Sequence, residues 1–544
     1  MYFLIYYFIT LSILGYGFFL NHNFRFYSNN LGIVGFLGIF FLIFSSYLSS
    51  FFFVHGYEFN SFFLIVGFIS FLYFVTKKIK FIKKDLIIFF LVFLILYISI
   101  LGAKNHDDFP YYHFPYIHLL TQNTHPIGLG LINNGFRNPS SIFFLNSLFY
   151  LPKIDIYFYH IGSVYFLGFA NLFFLKNIFN QEIYKKFKFY SLLNLFFLIF
   201  VNLFFSRLAE YGTDRAGQIL IIISFLILLL VSNSSLKTSN ETNKRLVNFF
   251  LIIGCITISL KPFYLIYVTL LYFLISTNYL KKIFYEFLKS KVFFFSFIFI
   301  LLTFIVNFLN SSCLVFPASF TCFENFTWSI SKKEVQDVKI WYELWSKGGA
   351  TPNFVAQDRL DYLSNFNWLP NWIDVYFFNK MSDYLLSLFL MFLVFYFIFK
   401  TKNKKLITNR KYLVLYIFLI FYLIEWFIFH PSLRYGGYHL FALSILIPLA
   451  LYLEKNKMEW NLYKKKALVL ITIGLLVFLG RNISRLNKEY KVYNYNIFKD
   501  IKYKFIGGDE NFYLRYDKFL KKKEFKYEYI HFFGKKILII KNTS

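Results

Sequence analysis

Residues 104–139 read KNHDDFPYYHFPYIHLLTQNTHPIGLGLINNGFRNP. An apolar run, Leu86–Ala103, precedes the stretch and further apolar sequence follows it, yet it gathers His106, Asp107, Asp108, His113, His118, His125, Asn133, Asn134 and Arg137. Groups of this kind cost several kcal/mol each to bury in hydrocarbon unless something satisfies or uses them. A chain built for lipid therefore holds its densest set of titratable and amide side chains in a loop between membrane spans, the place expected for the floor of an active site.

Composition supports that frame. Of 544 residues, 58% are hydrophobic and 16% charged, with a mean hydropathy of +0.54, which excludes an ordinary soluble domain. Apolar segments fall at Tyr2–Leu20, Leu31–Val54, Phe62–Val75, Leu86–Ala103, Ile156–Leu175, Phe189–Phe205, Gly217–Val231, Leu246–Leu260, Phe263–Ile275, Val292–Phe308, Tyr384–Phe399, Tyr412–Phe429, Leu440–Leu453 and Ala467–Gly480. The expected fold is an all-α polytopic membrane protein with about 14 transmembrane helices (12–14), several of them shorter than the roughly 20 residues of a perpendicular span. Met1–Leu20 lacks a basic start and a small-residue cleavage site, so it reads as a span rather than a removed leader.

The net charge of +29 would suggest nucleic acid in a soluble protein. Here most lysines sit in short clusters between apolar runs: 77–84, 185–188, 237–245, 281–291, 400–411 and 455–466. Such clusters set topology and face anionic lipid, so membrane lipids rather than nucleic acid are the expected partners. With the spans above, all six clusters fall on one face, read as cytoplasmic. This requires Ser140–Leu151 to be an interfacial or re-entrant helix rather than a span.

The chain then divides into N-terminal helices (1–103), a first external loop (104–155), central helices (156–308), an external Trp-rich cap (309–383), C-terminal helices (384–480) and a small, externally placed α/β tail (481–544). The external face receives the 104–139 loop, the turn SRLAEYGTDRA (206–216), the Lys261-Pro262 hinge and the turn HPSLRYGGYH (430–439). Asp107, Asp108, Asp214, Lys261 and Arg434 thus end at the same membrane surface, and one external site is the economical reading. The cap holds five of the seven tryptophans and also Cys313 and Cys322, which are placed to close a small loop in an oxidising compartment.

For each candidate a plainer role stands beside the chemical one. Asp107 and Asp108 suit a general base at the bilayer edge, or the cap of the helix that follows. The histidines of the loop lack a zinc-ligand spacing, so no metal ligands are assigned and no cofactor is certain, while a divalent cation stays open. Arg137 suits bidentate contact with a phosphate, or a place at headgroup level. Lys261 and Arg434 reach either a polar cavity or the interface, and Glu425 in the preceding span is the expected neutralising partner of Arg434.

Taken together, Asp108, Pro110, Tyr112 and His113, followed by Gly130, Asn133, Arg137, Ser140 and Ser141 and then a Phe-rich apolar helix, resemble the first external loop of GT-C-type membrane glycosyltransferases. They are most similar to a group of bacterial multi-span proteins of that superfamily. GTDRAG with Asp214, SLKP with Lys261 and PSLRYG with Arg434 are similar too. Three spans precede the loop here, where many such enzymes have one. The resemblance implies a polyprenyl-phosphate-linked sugar donor, a glycan or lipid acceptor and inverting transfer at the outer face of the bacterial cytoplasmic membrane, in cell-envelope glycan assembly. It implies Asp107 or Asp108 as catalytic base, with His113, Arg137, Asp214, Lys261 and Arg434 binding substrate. Two other classes compete: an O-antigen polymerase or ligase, whose external loops usually carry paired arginines, and a lipid-linked oligosaccharide flippase, which should show charges deep within its spans.

Overall fold

The computed structural model describes residues 1–101, 108–208, 213–234, 240–275, 278–351, 354–401, 413–493, 525–532 and 535–542. The fold is an all-α polytopic bundle. Among the described residues nine helices are long and apolar enough to cross a bilayer: Tyr2–Asn23, Leu31–Ser50, Tyr57–Lys77, Thr213–Ser232, Glu241–Leu260, Lys291–Ser311, Leu369–Phe399, Gly437–Glu454 and Trp460–Val492. Lys188–Phe204, Pro262–Ile275 and Val414–Phe429 are shorter and apolar.

The first two helices, α1 (Tyr2–Asn23) and α2 (Leu31–Ser50), form a close antiparallel pair. Any side chain at Gly17 would clash with the Val34 carbonyl, and any at Gly38 with that of Ile13. In lipid, where apolar burial gives helices little reason to associate, small residues let backbones approach and gain dispersion contact.

The third element, α3 (Tyr57–Leu96), is helical over 40 residues, where two segments, Phe62–Val75 and Leu86–Ala103, were expected. Its contacts show that it doubles back. Along the first arm Ser12 donates to the Leu64 carbonyl at 2.7 Å and Phe18 lies 6.2 Å from Phe74, so numbers rise together. Along the second arm Tyr7 bonds the Phe90 carbonyl at 2.8 Å, Tyr6 that of Phe93 at 3.1 Å, and Phe3 meets Tyr97 at 5.1 Å. A straight helix would carry Phe93 about 45 Å beyond Phe63, whereas Tyr6 and Tyr16, which bond those two carbonyls, lie within one helix only about 15 Å apart. The reversal falls between Phe74 and Asp85, on the first basic cluster.

The chain then stays at one end of the bundle in short helices, Phe114–Gln122, Leu129–Ile132 and Ser141–Ser147. Every residue of Ser141–Ser147 is buried, and Ser46 of α2 bonds the Phe144 carbonyl at 2.7 Å. At seven residues this buried helix is too short to cross a bilayer. At the opposite end, basic stretches meet: Lys176 bridges Asp85 at 2.7 Å, Tyr184 bonds Met458 O at 2.9 Å, and Asn456 bonds Phe399 O at 2.9 Å.

Two boundaries differ from expectation. The last fifth of the cap, from Leu369, is helical and runs into the helix ending at Phe399, with wider winding over Ile373–Met381. The last helix continues past Gly480 to Tyr493, because polar helix formers extend it after hydropathy stops; Arg485 and Glu489 pair along it at 3.9 Å. Beyond that helix, the described part of the tail is a β-hairpin, β1 (Phe525–Phe532) and β2 (Lys535–Asn542). The hairpin docks on the 104–139 loop: Ile540 N–H donates to Ile127 O at 3.0 Å, and a side chain at Gly128 (φ +83°) would stand 2.5 Å from Ile540 O.

Candidate active site at the loop end of the bundle

Four charges from four distant segments meet at this end. Arg434 donates through Nε to Asp214 Oδ2 at 2.5 Å and through Nη2 to Asp108 Oδ2 at 2.6 Å, while Lys261 Nζ pairs with Asp214 Oδ1. Two carboxylates face two cations, so the cluster is formally neutral. Asp214 is nearly sealed at 6% side-chain exposure; Lys261, Arg434 and Asp108 keep 23%, 29% and 25%, enough to be reached from one side.

Local sequence explains each placement. Asp214 lies in the first turn of Thr213–Ser234, where unpaired N–H groups favour a carboxylate. Pro262 ends the helix Asn240–Leu260 and leaves Lys261 extended at φ −156°, ψ 128°. Arg434 sits in the turn Leu433–Tyr435, and the chain leaves it through Gly436 at φ +142°, a conformation that only glycine adopts without strain. Asp108 precedes the wide turn Phe109–His113. Tyr264 Oη donates to the Asp214 carbonyl at 2.8 Å, and Gln218 Nε2 to that of Arg434 at 2.9 Å, so neighbours lock both backbones.

Aromatic rings wall the cluster. Lys261 Nζ lies 5.6 Å from the Tyr435 ring centre, Arg434 Cζ lies 5.9 Å from that of Trp345, and these two rings meet edge-on at 5.6 Å. Burial pushes the Lys261 ammonium below its usual range, against the pull of Asp214. For Arg434, burial is outweighed by Asp214 and Asp108, and the guanidinium is held well above its usual range. Burial, reinforced by Asp108, holds the Tyr112 phenol well above its ordinary value. Chemically the arrangement offers two cations with N–H donors beyond those spent on Asp108 and Asp214, beside a carboxylate that water can reach.

The other expected residues lie differently. Asp107 falls outside the described residues. His113 is buried beside Tyr112, its ring 5.0 Å from Phe143. Arg137 is committed to the protein: it pairs with Glu334 of the cap helix Lys332–Lys347, donates from Nε to Gly130 O at 3.0 Å, and is 5% exposed. It therefore ties the loop to the cap instead of joining the ion cluster. Arg434 takes its partners from Asp214 and Asp108, not from Glu425.

The loop histidines are dispersed. His118 lies near Tyr159 and His125 packs on Phe144, and burial pushes both down to about 4, so they are neutral at ordinary pH. Among the described residues no group of three His, Cys, Asp or Glu could hold a metal ion. Cys313 and Cys322 are bridged, which closes the first turn of the cap.

Sequence reasoning did not single out Trp345, Tyr435, Tyr264 or Gln218. Tyr435 and Tyr264 stand one and three residues from Arg434 and Lys261, a usable signal; Trp345 was visible only as one of seven tryptophans. Neither a curated protein nor a solved structure matches the chain. It belongs to the family described as a domain of unknown function (DUF8201), which matches residues 1–441 and so takes in all four charged residues of the cluster.

Proposed function

We propose that the protein is a membrane glycosyltransferase that draws on a polyprenyl-phosphate-linked sugar and acts at the face opposite the basic clusters, in bacterial cell-envelope glycan assembly. The observation that supports this reading best is the meeting of Asp108, Asp214, Lys261 and Arg434 at one end of the bundle. In this scheme Lys261 and Arg434 hold the donor phosphate through their spare N–H groups. Asp108 accepts the proton of an acceptor hydroxyl as its oxygen bonds to the anomeric carbon. The bond from that carbon to the phosphate oxygen breaks, and polyprenyl phosphate leaves against the two cations. Asp214 keeps both cations in register, and Trp345 and Tyr435 offer ring faces to the sugar.

The same reading carries a count of fourteen traverses. The nine long and three short apolar helices are joined by the second arm of α3 and by Gly162–Ile178. This parity puts the cluster and the Cys313–Cys322 bridge on one side and the described lysine clusters on the other, as an oxidising exterior requires. A cysteine replacing Gln122 is expected to react with an impermeant thiol reagent added outside intact cells, and one replacing Lys185 only after lysis. Outside labelling at position 185 would overturn the orientation.

Mass spectrometry of lipid-linked and envelope glycans after gene deletion tests the activity itself. The expected result is loss of one sugar from the mature glycan together with build-up of its lipid-linked donor. An unchanged envelope glycan, or build-up of an intermediate held at the cytoplasmic face, would speak for transport and against transfer.

A further inference from the structure

At the end of the bundle opposite the ion cluster, the helix Asn278–Leu288 lies between the apolar helix ending at Ile275 and the span that begins at Lys291. Its pattern is amphipathic. Leu280, Ile283 and Phe287, at helical spacing, are buried, while Lys281, Lys282, Tyr285 and Lys289 are exposed. These four residues and Glu286 line a cavity of about 340 Å³, within the size range of small-ligand sites.

The charge of this cavity is not balanced from within. Glu286, its one acid, is taken by Lys244 of the helix Asn240–Leu260 at 3.3 Å, whereas Lys281, Lys282 and Lys289 have no carboxylate partner among the described residues. The next helix packs against the buried face of this one, Phe287 meeting Phe293 at 5.5 Å and Phe293 meeting Phe297 at 6.2 Å, and on that membrane-crossing helix Phe294 and Phe297 are 59% and 58% exposed. Three ammonium groups without a carboxylate partner among the described residues, followed by a membrane-crossing helix with exposed phenylalanines, suit a diacyl phospholipid with an anionic headgroup.

We infer that this cavity is a binding site for one anionic phospholipid of the cytoplasm-facing leaflet, its phosphate among Lys281, Lys282 and Lys289 and its acyl chains along Phe294 and Phe297. A soluble phosphate would use the lysines but not the exposed phenylalanines. Each lysine near an anionic lipid surface contributes roughly fivefold in binding, so removal of three is worth on the order of 100-fold at low salt.

The test uses the full-length protein in detergent, with native mass spectrometry counting retained lipid after addition of phosphatidylglycerol or phosphatidylcholine. Wild type and the K185Q/K186Q control, which alters another basic run, should each retain one phosphatidylglycerol in preference to phosphatidylcholine. The K281Q/K282Q/K289Q variant should lose it by roughly 100-fold. In wild type, retention should fall steeply with added sodium chloride and resist millimolar inorganic phosphate. Equal retention by the triple variant, salt-insensitive retention in wild type, or displacement by inorganic phosphate would each overturn the assignment.

Discussion

Asparagine in place of Asp214 is expected to lower the unfolding temperature of the detergent-solubilised protein by several degrees, more than any other single neutralisation in the bundle. The carboxylate is nearly sealed and serves two cations, Lys261 and Arg434. Breaking a buried pair from one side costs about 3–5 kcal/mol, because the remaining charge is left without compensation. Lys261 and Arg434 keep roughly a quarter of their surface, so the lower end of that range applies. Arg434 retains Asp108, and the stranded group is therefore Lys261.

A second substitution isolates the cause. Asp214→Asn combined with Lys261→Met should recover most of the lost stability, since the methionine removes the uncompensated ammonium and keeps much of the volume. As a contrast, Asp85→Asn breaks a far more exposed pair with Lys176, at 18% and 39% side-chain exposure, and should cost at most about 1 kcal/mol. Thermal unfolding monitored by size-exclusion of a fluorescent fusion distinguishes these cases. If Asp214→Asn melts with wild type, or the double variant is no better than the single, the cluster is not held together as described.

Much of the arrangement could be read from sequence, and the reason is physical. Membrane spans announce themselves by hydropathy and basic runs announce their side, so parity alone sent Asp108, Asp214, Lys261 and Arg434 to a common surface. An isolated charge next to an apolar run needs a partner, and here partners came from other segments of the same surface. What stayed hidden depended on three-dimensional packing. Arg137 looked like a phosphate ligand because its partner, Glu334, lies 197 residues away in a segment with no hydropathy signal. The last helix looked finished at Gly480 because hydropathy reports lipid contact, whereas hydrogen bonding and side-chain pairs carry a helix onward without it. The docking of β2 on Ile127 and Gly128 rests on backbone pairing, which side-chain pattern alone does not encode.

The second large effect concerns Asp108, and it separates chemistry from architecture. If this carboxylate takes the acceptor proton, Asp108→Asn should reduce glycan synthesis by about 10²–10⁴-fold, the usual worth of a general base. The fold should barely notice, because a quarter-exposed acid whose removal leaves Arg434 still paired with Asp214 costs on the order of 1 kcal/mol or less. Lys261→Met should behave differently: a cation that meets the donor phosphate in both ground and transition state mainly raises the donor concentration needed for half-maximal rate. The two variants therefore diverge in one assay, transfer from a polyprenyl-phosphate sugar in membranes adjusted to equal protein by immunoblot. Asp108→Asn should lose turnover at saturating donor, and Lys261→Met should recover much of its rate as donor is raised. Near-normal synthesis by Asp108→Asn would reduce this acid to a structural counter-ion of Arg434, and the search for the base would move to Asp107, its neighbour in the same loop.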